Sequence, residues 1–302
     1  MHIPDGFLST PVWAACGAAS LPTIGVLARR AQKDLEESKV PLMGVMGAFV
    51  FAAQMINFPV GAGTSAHLLG SALLAYTLGP AAAAVVMTAI LVIQALVFQD
   101  GGILALGANI FNMAIMGVLA AYLPYRWWGR GRLRRASIFL GGALAVIAGA
   151  LLAIAELLLS GVPMPRAILG LSLALFLFNA LIEGGITLAV VTALERMNPG
   201  WVRGDAPRRR MALATLALAA VLLAAVGVLF ASAAPDGLES LAQRVGIASQ
   251  AKTLLKTPLA DYQTGFFETP WLRKATAGLA GLGILTAVSL LAGRLVARRR
   301  SG

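Results

Sequence analysis

The chain has 302 residues, 59% of them hydrophobic and 12% charged, with a mean hydropathy of +0.82. Soluble domains average about 45–50% apolar and about 25% charged residues, so this balance excludes a single water-soluble core and makes lipid the solvent for much of the surface. The formal net charge of +11 does not point to nucleic acid, because the arginines gather between apolar runs and at the C-terminus without interleaved aromatics.

A helix that crosses a bilayer needs roughly 20 mostly apolar residues. On that criterion spans are predicted at about 9–28, 41–57, 65–79, 81–98, 103–123, 138–160, 168–194, 211–233 and 272–293. The third is short, and Gly79-Pro80 breaks the chain tightly before the fourth. These runs are too long for strands and hold few interior prolines, so the fold class is all-α. The expectation is a polytopic membrane protein with about seven helices in a first unit and two more around a polar loop. Cys16, the single cysteine, excludes an internal disulfide framework and a thiolate zinc cluster.

Orientation follows from the basic residues. With the N-terminus outside, the inner loops hold 18 of the 24 lysines and arginines. They cluster at 29–39, 126–135, 196–210 and 294–300, so the positive-inside rule places the N-terminus outside and the C-terminus in the cytoplasm. Arg29 and Arg30 follow the first span, and no A-x-A-like site succeeds it. The first span therefore reads as a retained helix, with Met1 at the outer face.

Residues 234–270 are polar enough to form a small folded loop outside the membrane, and 196–210, "RMNPGWVRGDAPRRR", has the composition of a linker. Two units follow, 1–205 and 206–302, with no internal repeat.

The N-terminus, "MHIPDGFL", carries one of only two histidines in the chain. A free Met1 amine, the His2 amide once deprotonated, and the His2 ring nitrogen nearest the backbone close adjacent five- and six-membered chelate rings. Three coplanar nitrogens suit a metal that accepts square-planar geometry, Ni(II) or Cu(II) first. Pro4 stiffens the following turn. A large second residue favours retention of Met1. A fourth donor is missing from this segment, and the plain alternative is an unstructured terminal histidine. The other histidine, His67, lies in "NFPVGAGTSAHLLG" (57–70), on the same predicted membrane face. On the residues alone it is equally a helix-start residue reaching for the interface.

Three separated motifs in order, "MHIPDGFL", "NFPVGAGTSAHLLG" and "QALVFQDGGILALGANIFNM" (94–113), resemble the NikM/CbiM family. These proteins are the substrate-capturing membrane components of energy-coupling-factor transporters for nickel and cobalt. The resemblance covers about residues 1–200. "PDGLE" (235–239), "PLADY" (258–262) and the last span resemble the NikN-like unit often fused behind. The resemblance implies that Ni2+ or Co2+ is held by the Met1 amine, the His2 amide and ring, and His67. Ala66 stands where glycine is common, at a position that donates nothing. It further implies a partner T subunit and two ATPase subunits in the plasma (inner) membrane of a prokaryote, with the PDGLE loop helping to load metal or to stabilise the complex. Nickel against cobalt stays open, the fused unit tilting slightly to nickel.

Ligating imidazoles usually give their second N–H to an acceptor, for which Asp5, Asn57, Thr64 and Ser65 are the nearby candidates, each equally a turn or cap residue. Asn179, Glu183 and Thr187 recur at i, i+4 and i+8 on one helix face, as a polar stripe between helices or, for Glu183, a residue coupled to transport. Glu156 reads as an interfacial acid reaching water. Gln94, Gln99, Asn109 and Asn112 read as loop ties near the site. The pairs Met43/Met46 and Met113/Met116 read as packing rather than Cu(I) ligands. Ala14, Ala18 and Gly25 permit close helix approach, to a partner subunit or within the fold.

No G-x-x-x-x-G-K-[ST] motif occurs, and the sequence offers no Ser/His/Asp set or histidine–carboxylate cluster for hydrolysis. The chain is therefore expected not to be an enzyme and to bind no nucleic acid. The alternatives are a stand-alone secondary metal carrier or channel, which should show several acids along its path, and an intramembrane metalloenzyme, which would need a base beside the metal.

Overall fold

Glycine and proline break the apolar sequence into helices of unequal length, and that inequality builds the site. The computed structural model describes residues 1–34, 39–197 and 210–296. Seven helices among the described residues are long and apolar enough to cross a membrane. They are α1 (Thr10–Asp34), α4 (Pro80–Phe98), α5 (Leu106–Trp128), α6 (Arg134–Leu159), α7 (Arg166–Met197), α8 (Arg210–Ala225, with the span running from Met211 to Leu229) and α10 (Pro270–Val296). The chain is thus an all-α, multi-pass membrane protein.

Two of the nine expected spans are shorter. The run at 41–57 forms α2 (Val40–Gln54), only 15 residues long. The run at 65–79 divides into a strand and the eight-residue α3 (Ser71–Leu78). Both helices are apolar all round because they are buried all round: Met43, Met46, Phe51, Leu73 and Leu74 have no exposed surface. A helix enclosed by other helices need not match the bilayer thickness. This core also settles Met43 and Met46 as packing residues.

Between α2 and α3 lies a hairpin, β1 (Phe58–Gly61) and β2 (Thr64–Ala66), antiparallel with Phe58 opposite Ala66. Its two turn residues, Ala62 (φ 48°) and Gly63 (φ 69°), are both left-handed, as a tight twisted hairpin requires. Thr64 and Ser65 therefore sit in a strand, not at a helix start.

Two spans carry π-helical turns, a feature frequent at functional sites. Gln94–Phe98 closes α4, and Ile110–Gly117 lies inside α5. The first is followed by left-handed Gln99, and the Asp100 N–H donates back to the Gln94 carbonyl at 2.9 Å. The π turn thereby aims Asp100 at the N-terminal segment.

The helices α6 and α7 pack along their length, and Arg134 at the start of one pairs with Glu195 near the end of the other. Their other ends lie on the side of the N-terminal segment, where Glu156 accepts from Asn112 Nδ2 (2.9 Å) and from Cys16 Sγ (3.5 Å). Glu156 is buried by these partners and does not reach water as expected. Ala14, Ala18 and Gly25 lie on an exposed face of α1, while the next face meets α5 at Gly17 and Gly107.

The helices α8 and α10 flank α2. Between them the chain runs over the site end and forms α9 (Gly237–Val245). Asp236 caps α9, accepting from Leu238 and Glu239 N–H at 2.8 Å each, while the Glu239 carboxylate accepts from Asp236 N–H at 3.1 Å. The linker expected at 196–210 lies mostly outside the described residues.

Candidate metal centre

The N-terminal segment folds inward because its polar groups find partners there. Asp5 accepts from the N–H groups of Ile103 and Leu104 at 2.8 Å and of Ala105 at 3.1 Å, where the chain turns into α5. Ile3 exchanges two hydrogen bonds with the Asn109 side chain, 2.8 and 3.1 Å. Gly102 N–H donates to the Ile3 carbonyl at 2.8 Å. The close approach explains the glycine pair: a side chain at Gly102 would enter Asp5, and one at Gly101 (φ 91°) would meet Asn109 and His2.

This anchoring brings Met1, His2 and His67 together. The Met1 amine lies 2.8 Å from His67 Nε2. The two imidazoles stack with centroids 5.3 Å apart and planes 8° from parallel. His2 is 5% and His67 8% exposed. His67 Nδ1 lies 3.0 Å from the Leu68 carbonyl, which can only accept, so Nδ1 holds the proton and Nε2 offers its lone pair toward the amine. Burial, then the neighbouring amine and His2, push the His67 pKa down to about 3, keeping the ring neutral.

Two acids unnamed by the sequence reading complete the surroundings. Asp236, in "PDGLE", accepts from the Met1 amine at 2.7 Å through Oδ2 and lies 4.0 Å from His67 Nε2. Asp100, in "QDGG", lies 3.0 Å from His2 Nδ1 and accepts from Tyr262 O–H at 2.6 Å. Burial alone would raise both carboxyls. The neighbouring His2 and hydrogen bonds from His2 and Tyr262 hold Asp100 below the usual carboxylate range, and the Met1 amine and His67 do the same for Asp236. His2 Nε2 is buried without a hydrogen-bond partner among the described residues. His2 thus turns toward Asp100 the nitrogen that the chelate would use.

Of the expected acceptors, none touches an imidazole. Asp5 holds backbone. Thr64 Oγ1 meets Ser240 Oγ at 2.8 Å, and Ser65 Oγ donates to the Ala234 carbonyl at 2.7 Å, so this pair fastens the hairpin to the loop before α9. The Asn57 carbonyl accepts from Ser232 N–H at 2.7 Å. Glu183 accepts from Leu69 N–H (2.8 Å) and Gly70 N–H (2.9 Å), just after His67. A cavity of about 410 Å3 opens beside the donors and is lined by His2, His67, Asp100, Asp236, Tyr262 and Lys274 among others. Among the described residues no cluster of three His, Cys, Asp or Glu side chains could hold a metal.

Fold and site together define a class: a polytopic helical membrane protein whose own N-terminus is folded into a nitrogen-rich pocket at one end of the bundle. Residues 2–201 match the CbiM family, described as the cobalt uptake substrate-specific transmembrane region, and residues 210–298 match the PDGLE domain. The chain belongs to the CbiM family and carries a NikN-like PDGLE unit behind it. It is 31% identical over 347 aligned positions to the fused nickel transport protein NikMN of Rhodobacter capsulatus, covering 100% of both chains. It is 40% identical over 146 residues to the cobalt transport protein CbiM of Thermosediminibacter oceani, covering 47% of this chain and 60% of that one. Among solved structures, a truncated transition-metal transporter matches with a TM-score of 0.58 and 39% identity, over 65% of this chain and 99% of its own.

Proposed function

We propose that this chain is the substrate-capturing membrane component of an ATP-driven energy-coupling-factor importer, with Ni2+ or Co2+ as its cargo. The observation that carries the reading is the 2.8 Å approach of the Met1 amine to His67 Nε2 inside the bundle. Nitrogen donors about 2.0–2.1 Å from a metal, on adjacent corners of a square, lie about 2.8–3.0 Å apart. The His2 amide and ring supply the other corners once Nδ1 leaves Asp100. The relatives named for nickel and cobalt transport support the same cargo. On this reading residues 1–205 form the capture domain and 206–302 the appended unit. The site faces outward, and the C-terminus is cytoplasmic.

Capture by deprotonated nitrogen needs no chemistry from ATP. Reorientation and release do, and the chain carries no Walker motif, so a T subunit and two ATPases supply the work. Nickel calorimetry on the purified chain tests the site. Extending the N-terminus by one residue should weaken Ni2+ binding more than about a hundredfold while the protein stays folded. Unchanged affinity would remove the amine from the site. Reconstitution tests the coupling: full-rate metal entry into liposomes by this chain alone would make it a stand-alone carrier.

A further inference from the structure

Glu183 occupies a place that its own surroundings do not explain as packing. It has no exposed surface, lies midway along α7, and pairs with no lysine or arginine among the described residues. Both carboxylate oxygens are spent on consecutive backbone N–H groups, those of Leu69 and Gly70 at 2.8 and 2.9 Å. Gly70 is the left-handed N-cap of α3, so the carboxylate also faces the positive end of that helix. The opposite edge of the same segment is held from α2: Gln54 Nε2 donates to the Leu69 carbonyl at 2.8 Å, and Gln94 Nε2 donates to Gln54 Oε1 at 2.9 Å. The four-residue stretch from His67 to Gly70 is thereby gripped on both edges, and among the described residues Glu183 is the side chain that grips its N–H side.

We infer that Glu183 is a positioning residue for the metal centre. Resting on the capture reading above, it fixes where His67 Nε2 sits relative to the Met1 amine and ties that position to α7. Its carboxylate is two residues removed from the ring and touches neither imidazole, so it acts through the backbone. A carboxylate accepts at both oxygens, whereas glutamine turns an N–H toward one of the two donors and breaks the bidentate grip. The other polar groups on this face, Asn179 Oδ1 and Thr187 Oγ1, are buried without hydrogen-bond partners among the described residues and do not replace it.

A double-mutant cycle tests the inference. Ni2+ affinity and the Ni(II) absorption spectrum are measured for the intact chain, E183Q, H67A and the double variant, each checked as a monodisperse protein in detergent. E183Q should weaken binding about 10–100-fold and move the spectrum toward that of H67A. The double variant should bind no worse than H67A, because Glu183 acts only through His67. Wild-type affinity and spectrum in E183Q would overturn the inference, as would a double variant weaker than H67A by the full E183Q factor. If E183Q does not fold, E183D, which keeps the acceptors on a shorter arm, enters the same cycle with the same criteria. If H67A itself binds like the intact chain, the metal-site reading falls and this inference with it.

Discussion

Asp236 divides its carboxylate between the chain's N-terminus and the helix it begins: Oδ2 accepts from the Met1 amine at 2.7 Å, and Oδ1 caps α9. The appended unit therefore contributes a side chain to the pocket built by the first unit. The adjoining strand contact reinforces it, with Ser65 N–H donating to the Pro235 carbonyl at 2.8 Å, two residues before His67.

The capping half of this double role is measurable. Asparagine caps a helix about as well as aspartate but carries no charge, whereas alanine does neither. D236A should lose about 1 kcal/mol more stability than D236N, seen as a lower thermal midpoint in detergent. Equal midpoints for the two variants would show that the cap adds nothing.

Asp5 is expected to matter for metal affinity without being a donor. Its three backbone hydrogen bonds at Ile103, Leu104 and Ala105 hold the segment that bears Met1 and His2. D5A should weaken Ni2+ binding about 10–100-fold, the range seen when groups supporting metal ligands are removed. D5N, which keeps one acceptor, should fall between D5A and the intact chain. If D5A binds normally, the chelate does not depend on this tether.

Gly102 gives a steric version of the same test. A methyl group there would enter the Asp5 carboxylate and its backbone N–H. G102A should thus reproduce the affinity loss of D5A, and adding it to D5A should cost less than it does alone. Additive losses would mean that the two residues act separately.

The sequence held much of this and lacked the rest for identifiable reasons. That Met1, His2 and His67 come together was legible because scarce histidines sat in recognisable motifs. The membrane class was legible from hydropathy. The short α2 and α3 were not, because a helix enclosed by its neighbours and one facing lipid have the same apolar composition. Nearness in sequence offers Asp5, Asn57, Thr64 and Ser65 equally as imidazole acceptors or as turn and cap residues, whereas His67 Nδ1 meets the Leu68 carbonyl, a group every residue possesses and no motif marks. Asp236 was missed because its partner is 235 residues away. Asp100 lay inside a quoted motif, and only the π turn of α4 reveals that it faces His2.

The buried imidazole also sets how the fold responds to acid. His67 stays neutral in the native protein down to about pH 3, whereas an unfolded histidine takes a proton near pH ~6.5. Between those values the unfolded state binds one more proton, so native stability is complete above about pH 6.5 and falls as the pH drops. The slope approaches about 1.4 kcal/mol per pH unit for this one group. Asp100 and Asp236 act in the same direction but lower: with native pKa values below the usual range, their contribution holds above about pH 3.9 and is lost beneath it. Thermal midpoints of the metal-free chain at pH 7.5, 5.5 and 4.5 should therefore decline mainly through His67. H67Q, which has no proton to gain, should flatten that decline by about one proton. An identical slope in H67Q would show that the acid sensitivity arises elsewhere.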